Sequence, residues 1–185
     1  MQAKGLGIEY ISNSFDIESL AFLENLGLSF YKTPSGEITN GPILPAFTST
    51  GKRIVLSTGM ANLGKVEQAL ALLFWVYAHN REPTSLTEIW NYWHRSDTAV
   101  NSTEKTSFLQ CTSKYPTPME DVNLRSMETI SHSFGLPVGY SGHTERLLIQ
   151  VAAVALGAEI IEKHFTSDRS LAGLDHRFPL APGEL

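Results

Sequence analysis

Cysteine is nearly absent from this chain: Cys111 is the only one in 185 residues. No disulfide can therefore form within the chain, and the composition is compatible with a reducing compartment. No run approaches the ~20 consecutive apolar residues that a bilayer-spanning helix needs. The opening residues, Met-Gln-Ala-Lys-Gly-Leu-Gly, lack the apolar core of a secretory signal. Basic residues are outnumbered, 14 Lys and Arg against 19 Asp and Glu, for a formal charge of −5. With no basic run, broad nucleic-acid binding is not expected. These absences point to a cytoplasmic globular protein with neither membrane nor nucleic acid as partner. An acidic balance still permits an anionic metabolite wherever a few lysines and backbone N–H groups converge.

With 42% hydrophobic and 18% charged residues, the composition is that of a globular domain, and the length suits one substantial core. Strands are predicted over residues 8–12, 29–32, 53–57, 106–111, 138–141 and 159–164. Helices are predicted over 16–26, 65–77, 124–134 and 145–156, with 42–50 helical or turn-rich. Six strands separated by helices is the pattern of a parallel α/β architecture. Polar residues gather where successive strands end: Lys32 to Ser35, Ser57-Thr58, Cys111 to Ser113, Ser141 to His143, and Glu162 to His164. A doubly wound sheet usually concentrates ligands at one switch point, whereas a (β/α) barrel carries them on every strand end. The expected fold is therefore a TIM barrel lacking two of eight strands, with an atypical sheet as the alternative. A helical insertion near 78–106 breaks the rhythm. Thr84, Ser85 or Thr87 can cap a short helix there, with Leu86, Ile89, Trp90 and Trp93 on one apolar face. Such an excursion packs on the barrel wall or against a partner, and His79 and His94 within it read as ordinary surface residues.

On a strand, residues two apart share a face, so Ser141 goes with His143 and Glu162 with His164. Two imidazoles suit a divalent transition metal and leave positions open for water or substrate. A pair of histidines hydrogen-bonded inside a packed rim is the plainer alternative. Lys32, Ser35, Ser57 and Ser113 supply a cation and hydroxyls of the kind that bind phosphate or carboxylate, with Gly59 allowing close backbone approach. Tyr115 adds a donor on the third strand end. Asp175 and His176 follow a glycine-containing loop and can reach over the same rim. Cys111 lacks a partner for nucleophilic catalysis and reads as a packed strand residue.

Five collinear segments, Tyr31 to Asn40, Val55 to Met60, Leu109 to Pro118, Gly139 to Thr144 and Ile161 to Thr166, resemble the sialic acid synthases. That family includes the N-acetylneuraminate, legionaminate and pseudaminate synthases. The resemblance implies a TIM barrel followed by a small antifreeze-like domain, and a homodimer in the full-length protein. It implies condensation of phosphoenolpyruvate with an N-acetylated amino sugar such as N-acetylmannosamine, giving a nine-carbon 2-keto acid and phosphate. It further implies that His143 and His164 hold Mn²⁺ or Mg²⁺, and that Lys32, Ser35, Ser57, Ser113 and Ser141 receive phosphoenolpyruvate. Tyr115, Glu162 and Asp175 would contact the sugar or position reacting groups.

Four residues depart from the family pattern. Gly142 stands where an aspartate is usual, Ser113 where asparagine occurs, Asn13 for threonine and Leu174 for proline. The family's first two strands, with a catalytic glutamate and a lysine, and its antifreeze-like domain have no counterpart here. The expectation is thus a single partial barrel domain over residues 1–185. A spore-coat polysaccharide type synthase and a non-catalytic sugar-binding remnant are the other readings.

Overall fold

A computed structural model describes residues 2–95, 103–173, 176 and 178–184. After a short helix α1 (Gln2–Gly5), helix α2 (Ile17–Glu24) starts at Asp16, whose carboxylate accepts from the Ser19 N–H at 2.6 Å. Strand β1 (Phe30–Thr33) leads to α3 (Ile43–Ser49), and β2 (Arg53–Ser57) leads to α4 (Leu63–His79). Helix α4 is capped by Asn62 and ends at Asn80 in the left-handed region, φ 50°. Next come α5 (Leu86–Trp93), β3 (Thr106–Cys111), α6 (Ser126–Phe134), β4 (Val138–Gly142), α7 (Leu148–Ala155) and β5 (Ile161–Lys163).

Among the described residues the five strands are parallel and lie in sequence order, β1-β2-β3-β4-β5. Their order does not reverse, so among these residues the sheet has no switch point of the doubly wound kind. One sheet face carries Tyr31, Ile54, Leu56, Phe108, Val138 and Tyr140 into a core shared with Leu20, Phe47, Leu70, Phe74, Ile130 and Ala153 from the helices. Because side chains alternate along a strand, Lys32, Ser57, Cys111, Ser141 and Glu162 project from the other face. That face is concave. In a flat sheet β1 and β5 would stand on the order of 19 Å apart, four spacings of ~4.8 Å, beyond the joint reach of a lysine and a glutamate. Yet Lys32 Nζ on β1 lies 3.4 Å from Glu162 Oε1 on β5. The sheet therefore curls around this face, as part of a barrel does.

The strand predicted over 8–12 does not form. Among the described residues this segment makes no ladder, and Ile8 and Tyr10 are exposed, at 60% and 45%. Apolar alternation alone does not make a strand when no neighbour takes up its backbone groups. The Ser29 hydroxyl, just before β1, donates to the Glu9 carboxylate in this segment. The insertion behaves as expected of a packed excursion. Ser85 caps α5, Ile89 is buried, and Trp93 Nε1 donates to Glu67 on α4 at 3.0 Å. Leu86 differs: it is 73% exposed, in the first turn of α5. His79 and His94 are exposed, and residues 96–102 of the insertion lie outside the described residues.

Candidate active site

The C-terminal ends of the five strands bring together nearly every residue singled out from the sequence. Glu162 is their hinge point. Its Oε1 accepts from the Ser141 hydroxyl at 2.7 Å and faces Lys32 Nζ at 3.4 Å. A carboxylate shared by a hydroxyl and an ammonium holds both donors in place.

Beside this knot lies a cluster of small polar groups. The Ser35 hydroxyl, just past β1, accepts from the Gly59 N–H at 3.0 Å and lies 2.9 Å from Cys111 Sγ. The ends of β1, β2 and β3 are thereby tied at one point. Gly59 is required there by space, since a Cβ would fall 2.5 Å from Cys111 Sγ and 2.8 Å from Ser113 Oγ. Ser57, at the end of β2, is 1% exposed, and its hydroxyl has no hydrogen-bond partner among the described residues. A buried hydroxyl left unpaired is costly, so it marks a place where a ligand oxygen would be welcome. Ser113 is exposed at the cluster's rim.

The histidines form the other half. His143 is 4% exposed, and its Nδ1 lies 2.9 Å from the Thr112 carbonyl oxygen. A carbonyl only accepts, so Nδ1 carries the proton and Nε2 keeps its lone pair. Burial pushes the His143 imidazole below its ordinary pKa, which favours the same neutral form. Its backbone is held too, because the Thr117 N–H donates to the His143 carbonyl at 3.0 Å. The ring of His164 lies 5.3 Å away, edge-on. Tyr115 covers both histidines, at 4.0 Å from His143 and 5.9 Å from His164, while Phe178 packs 4.9 Å from His164.

This donor set fits a substrate-binding divalent ion. A neutral imidazole with its second nitrogen tied to a carbonyl is the form that ligates metals. No group of three or more His, Cys, Asp and Glu side chains converges among the described residues. The pair would thus fill two coordination positions and leave the others to water or substrate oxygens.

Asp175, expected at the same rim, lies outside the described residues. Its neighbour His176 places Nδ1 2.7 Å from the Thr166 hydroxyl, just beyond β5. The missing carboxylate at Gly142 has a steric explanation. A Cβ on Gly142 would fall 2.1 Å from the side-chain amide of Gln150 and 2.8 Å from the Tyr140 ring. Gln150, buried on α7, directs its amide N–H groups to the Arg146 and Leu147 carbonyls at 2.9 and 3.2 Å. A glutamine amide thus occupies the room that a side chain at 142 would need. Cys111 is buried as expected, yet it also touches Ser35. Lys163 and Phe178 escaped the sequence reading, because one sits on the outward face of β5 and the other in a loop without a motif.

The model of the NeuB family matches residues 1–185. This chain belongs to the NeuB family. It is 43% identical over its whole length to the N,N'-diacetyllegionaminic acid synthase of Campylobacter jejuni subsp. jejuni, of which it covers 48%. It is 34% identical to the human N-acetylneuraminate-9-phosphate synthase over 99% of this chain and 44% of that one. This NeuB chain thus spans about half the length of the curated relatives it matches. Among solved structures, the N-acetylneuraminic acid synthetase of Leptospira borgpetersenii superposes with a TM-score of 0.80 at 30% identity, over 99% of this chain and 55% of that one. A truncated 3-deoxy-D-arabino-heptulosonate 7-phosphate synthase from Thermotoga maritima, 16% identical with a TM-score of 0.67 over 97% of this chain and 62% of that one, shares the fold. The two curated relatives named above are sugar acid synthases by name, and the α/β half-barrel is shared with the solved structures just described.

Proposed function

We propose that this chain is the catalytic-barrel part of a nonulosonic acid synthase, joining phosphoenolpyruvate to an N-acetylated amino sugar with release of phosphate. The observation that carries the reading is the pairing of two half-sites on one concave face. One half is anion-receptive: Lys32, Ser35, Ser141 and the unpaired hydroxyl of Ser57. The other is the pair of facing histidines. Condensation of an anionic enol phosphate with an aldehyde needs both.

In this reading Lys32 and the serines, Ser113 included, hold the phosphate and carboxylate of phosphoenolpyruvate. C3 of that substrate attacks the aldehyde carbon of the sugar, whose oxygen takes up a proton. Water then adds at C2, and phosphate leaves to give the 2-keto acid. His143 and His164 would hold Mn²⁺ or Mg²⁺, which when bound supplies Lewis acidity toward the aldehyde oxygen. Glu162 keeps Lys32 and Ser141 aligned, and its carboxylate would stabilise positive charge developing at C2. Tyr115, over the histidines, and Asp175 would contact the sugar. The relative at 43% identity is named for a product with two acetyl groups, so an acceptor bearing two acetamido groups heads the substrate panel. A spore-coat polysaccharide type synthase is the second reading. It is favoured by the likeness to the Bacillus subtilis protein spsE, TM-score 0.79 at 28% identity over 98% of this chain and 44% of that one.

The test is phosphate release from phosphoenolpyruvate in the presence of Mn²⁺ and a panel of amino sugars. It is run on this chain and on a version extended to the length of its relatives. Release that needs both metal and an N-acetylated acceptor supports the proposal, and no release with any acceptor sinks it. Calorimetry with Mn²⁺ checks the ligands separately. His143→Ala and His164→Ala are each expected to abolish binding, and unchanged affinity in both refutes their assignment.

A further inference from the structure

Lys163 has no part in the chemistry above. It stands between Glu162 and His164 on β5, so its side chain leaves the strand on the face opposite theirs. There its ammonium donates to the backbone carbonyl of Thr144 and, at 3.1 Å, to that of Phe178. Thr144 directly follows His143 in the turn after β4. Phe178 lays its ring 4.9 Å from His164 and 6.3 Å from His143. The Phe178 segment is also tied to β5's end, since the Leu180 N–H donates to the His164 carbonyl at 2.9 Å. Arg169 braces the same loop through the Pro179 carbonyl at 3.0 Å and through Glu184.

A single cation therefore joins three parts of the site: the turn carrying one histidine, the strand carrying the other, and the aromatic ring packed on both. We propose that Lys163 is a positioning residue that sets the separation of the His143 and His164 rings. This rests on the reading of those histidines as metal ligands. Of the three N–H donors of the ammonium, two are committed to carbonyls. An apolar side chain of the same length would leave both carbonyls without this donor and would free the β4 turn from the Phe178 loop.

The test compares wild type, Lys163→Met and Lys163→Gln by Mn²⁺ titration and by long-range ¹H–¹⁵N spectra of the histidine rings recorded without metal. Lys163→Met is expected to weaken Mn²⁺ binding roughly tenfold to a hundredfold, the usual scale for losing an outer support of a metal ligand. The ring signals of both His143 and His164 should move in the metal-free spectra. Lys163→Gln keeps an N–H donor group but on a shorter, uncharged side chain, so its effect should be intermediate, and it carries the test should Lys163→Met not fold. Wild-type affinity and unmoved ring signals in either folded variant overturn the proposal. A wild type that binds no Mn²⁺ defeats the metal reading instead, and the ring spectra then decide on positioning alone.

Discussion

At the scale of single residues, Ser57 separates a ligand-binding role from a structural one. A buried hydroxyl without a partner costs folding free energy of order 1–3 kcal/mol. Ser57→Ala should therefore leave the melting temperature unchanged or raise it. If Ser57 receives the phosphate or carboxylate of phosphoenolpyruvate, the same change should cut affinity for that anion about tenfold, the worth of a hydrogen bond to a charged group. A drop in melting temperature with unaltered affinity would instead show a hydroxyl that serves the fold. The serine and the glycine after it were legible in sequence as a hydroxyl-plus-glycine turn at a strand end. The identity of what crowds Gly59 was not, because Cys111 and Ser113 come from a strand more than fifty residues away. The exchange at Gly142 was half legible. The missing carboxylate showed, but Gln150 read only as one more position in a helix. Its amide reaches Gly142 because α7 packs against β4.

At the scale of elements, α5 shows how short-range polar contacts fix a segment that the sheet does not need. The Ser85 hydroxyl accepts from the Glu88 N–H at 3.3 Å, and Glu88 Oε2 accepts from the Thr84 N–H at 2.8 Å, a reciprocal cap. Glu88 also pairs with Arg81 at 3.1 Å. The Arg81 hydrogen bond, followed by that of Thr84, lowers the Glu88 pKa from 4.5 to about 2. A carboxylate with a depressed folded pKa contributes stability that is whole above the unfolded value and is lost as pH falls through the folded one. Helix α5 should hold at neutral pH and fray between pH 4.5 and about 2. Amide exchange across 86–93 and the fluorescence of Trp90 and Trp93 report this. Glu88→Gln should start looser and show no such transition in that window, and an identical acid profile in the variant would contradict the cap's role. Three capping candidates were visible in sequence, and Ser85 takes the place with extended backbone and its hydroxyl on the N–H of Glu88, three residues on. The segment 8–12 failed as a strand for the opposite reason. Its pattern was right, but a strand is a property of two chains' backbones, and a single sequence window cannot show the partner.

At the scale of the molecule, strand order and curvature followed from the repeated polar strand ends. An incomplete barrel was expected too, but not where its surface would lie open. Accessible surface is 10469 Å², against about 8,800 Å² for a closed monomer of 20.4 kDa. Part of the surplus lies on α7, which is apolar on both sides. Ile149 and Ala153 are buried against the sheet, while Leu148, Val151 and Val154 are 64%, 64% and 56% exposed. Helices apolar all round are normally covered. Spacing in the sequence reveals such a helix but not which of its two faces the sheet takes. Ile161 and Phe165 at the β5 edge are also exposed, at 37% and 55%. A patch of exposed apolar side chains such as that on α7 binds hydrophobic dyes and drives self-association. Replacing Leu148 and Val151 together with lysine removes the middle of the patch without touching the face that packs on the sheet. The double variant should melt within a few degrees of wild type, because exposed sites away from special features shift stability little. Its anilinonaphthalene sulfonate fluorescence should fall clearly, and sedimentation should show less association at the same concentration. Unchanged fluorescence with an intact fold would mean that the open surface lies elsewhere, with the β1 edge and its exposed Phe15, Ile17 and Phe22 the next to test.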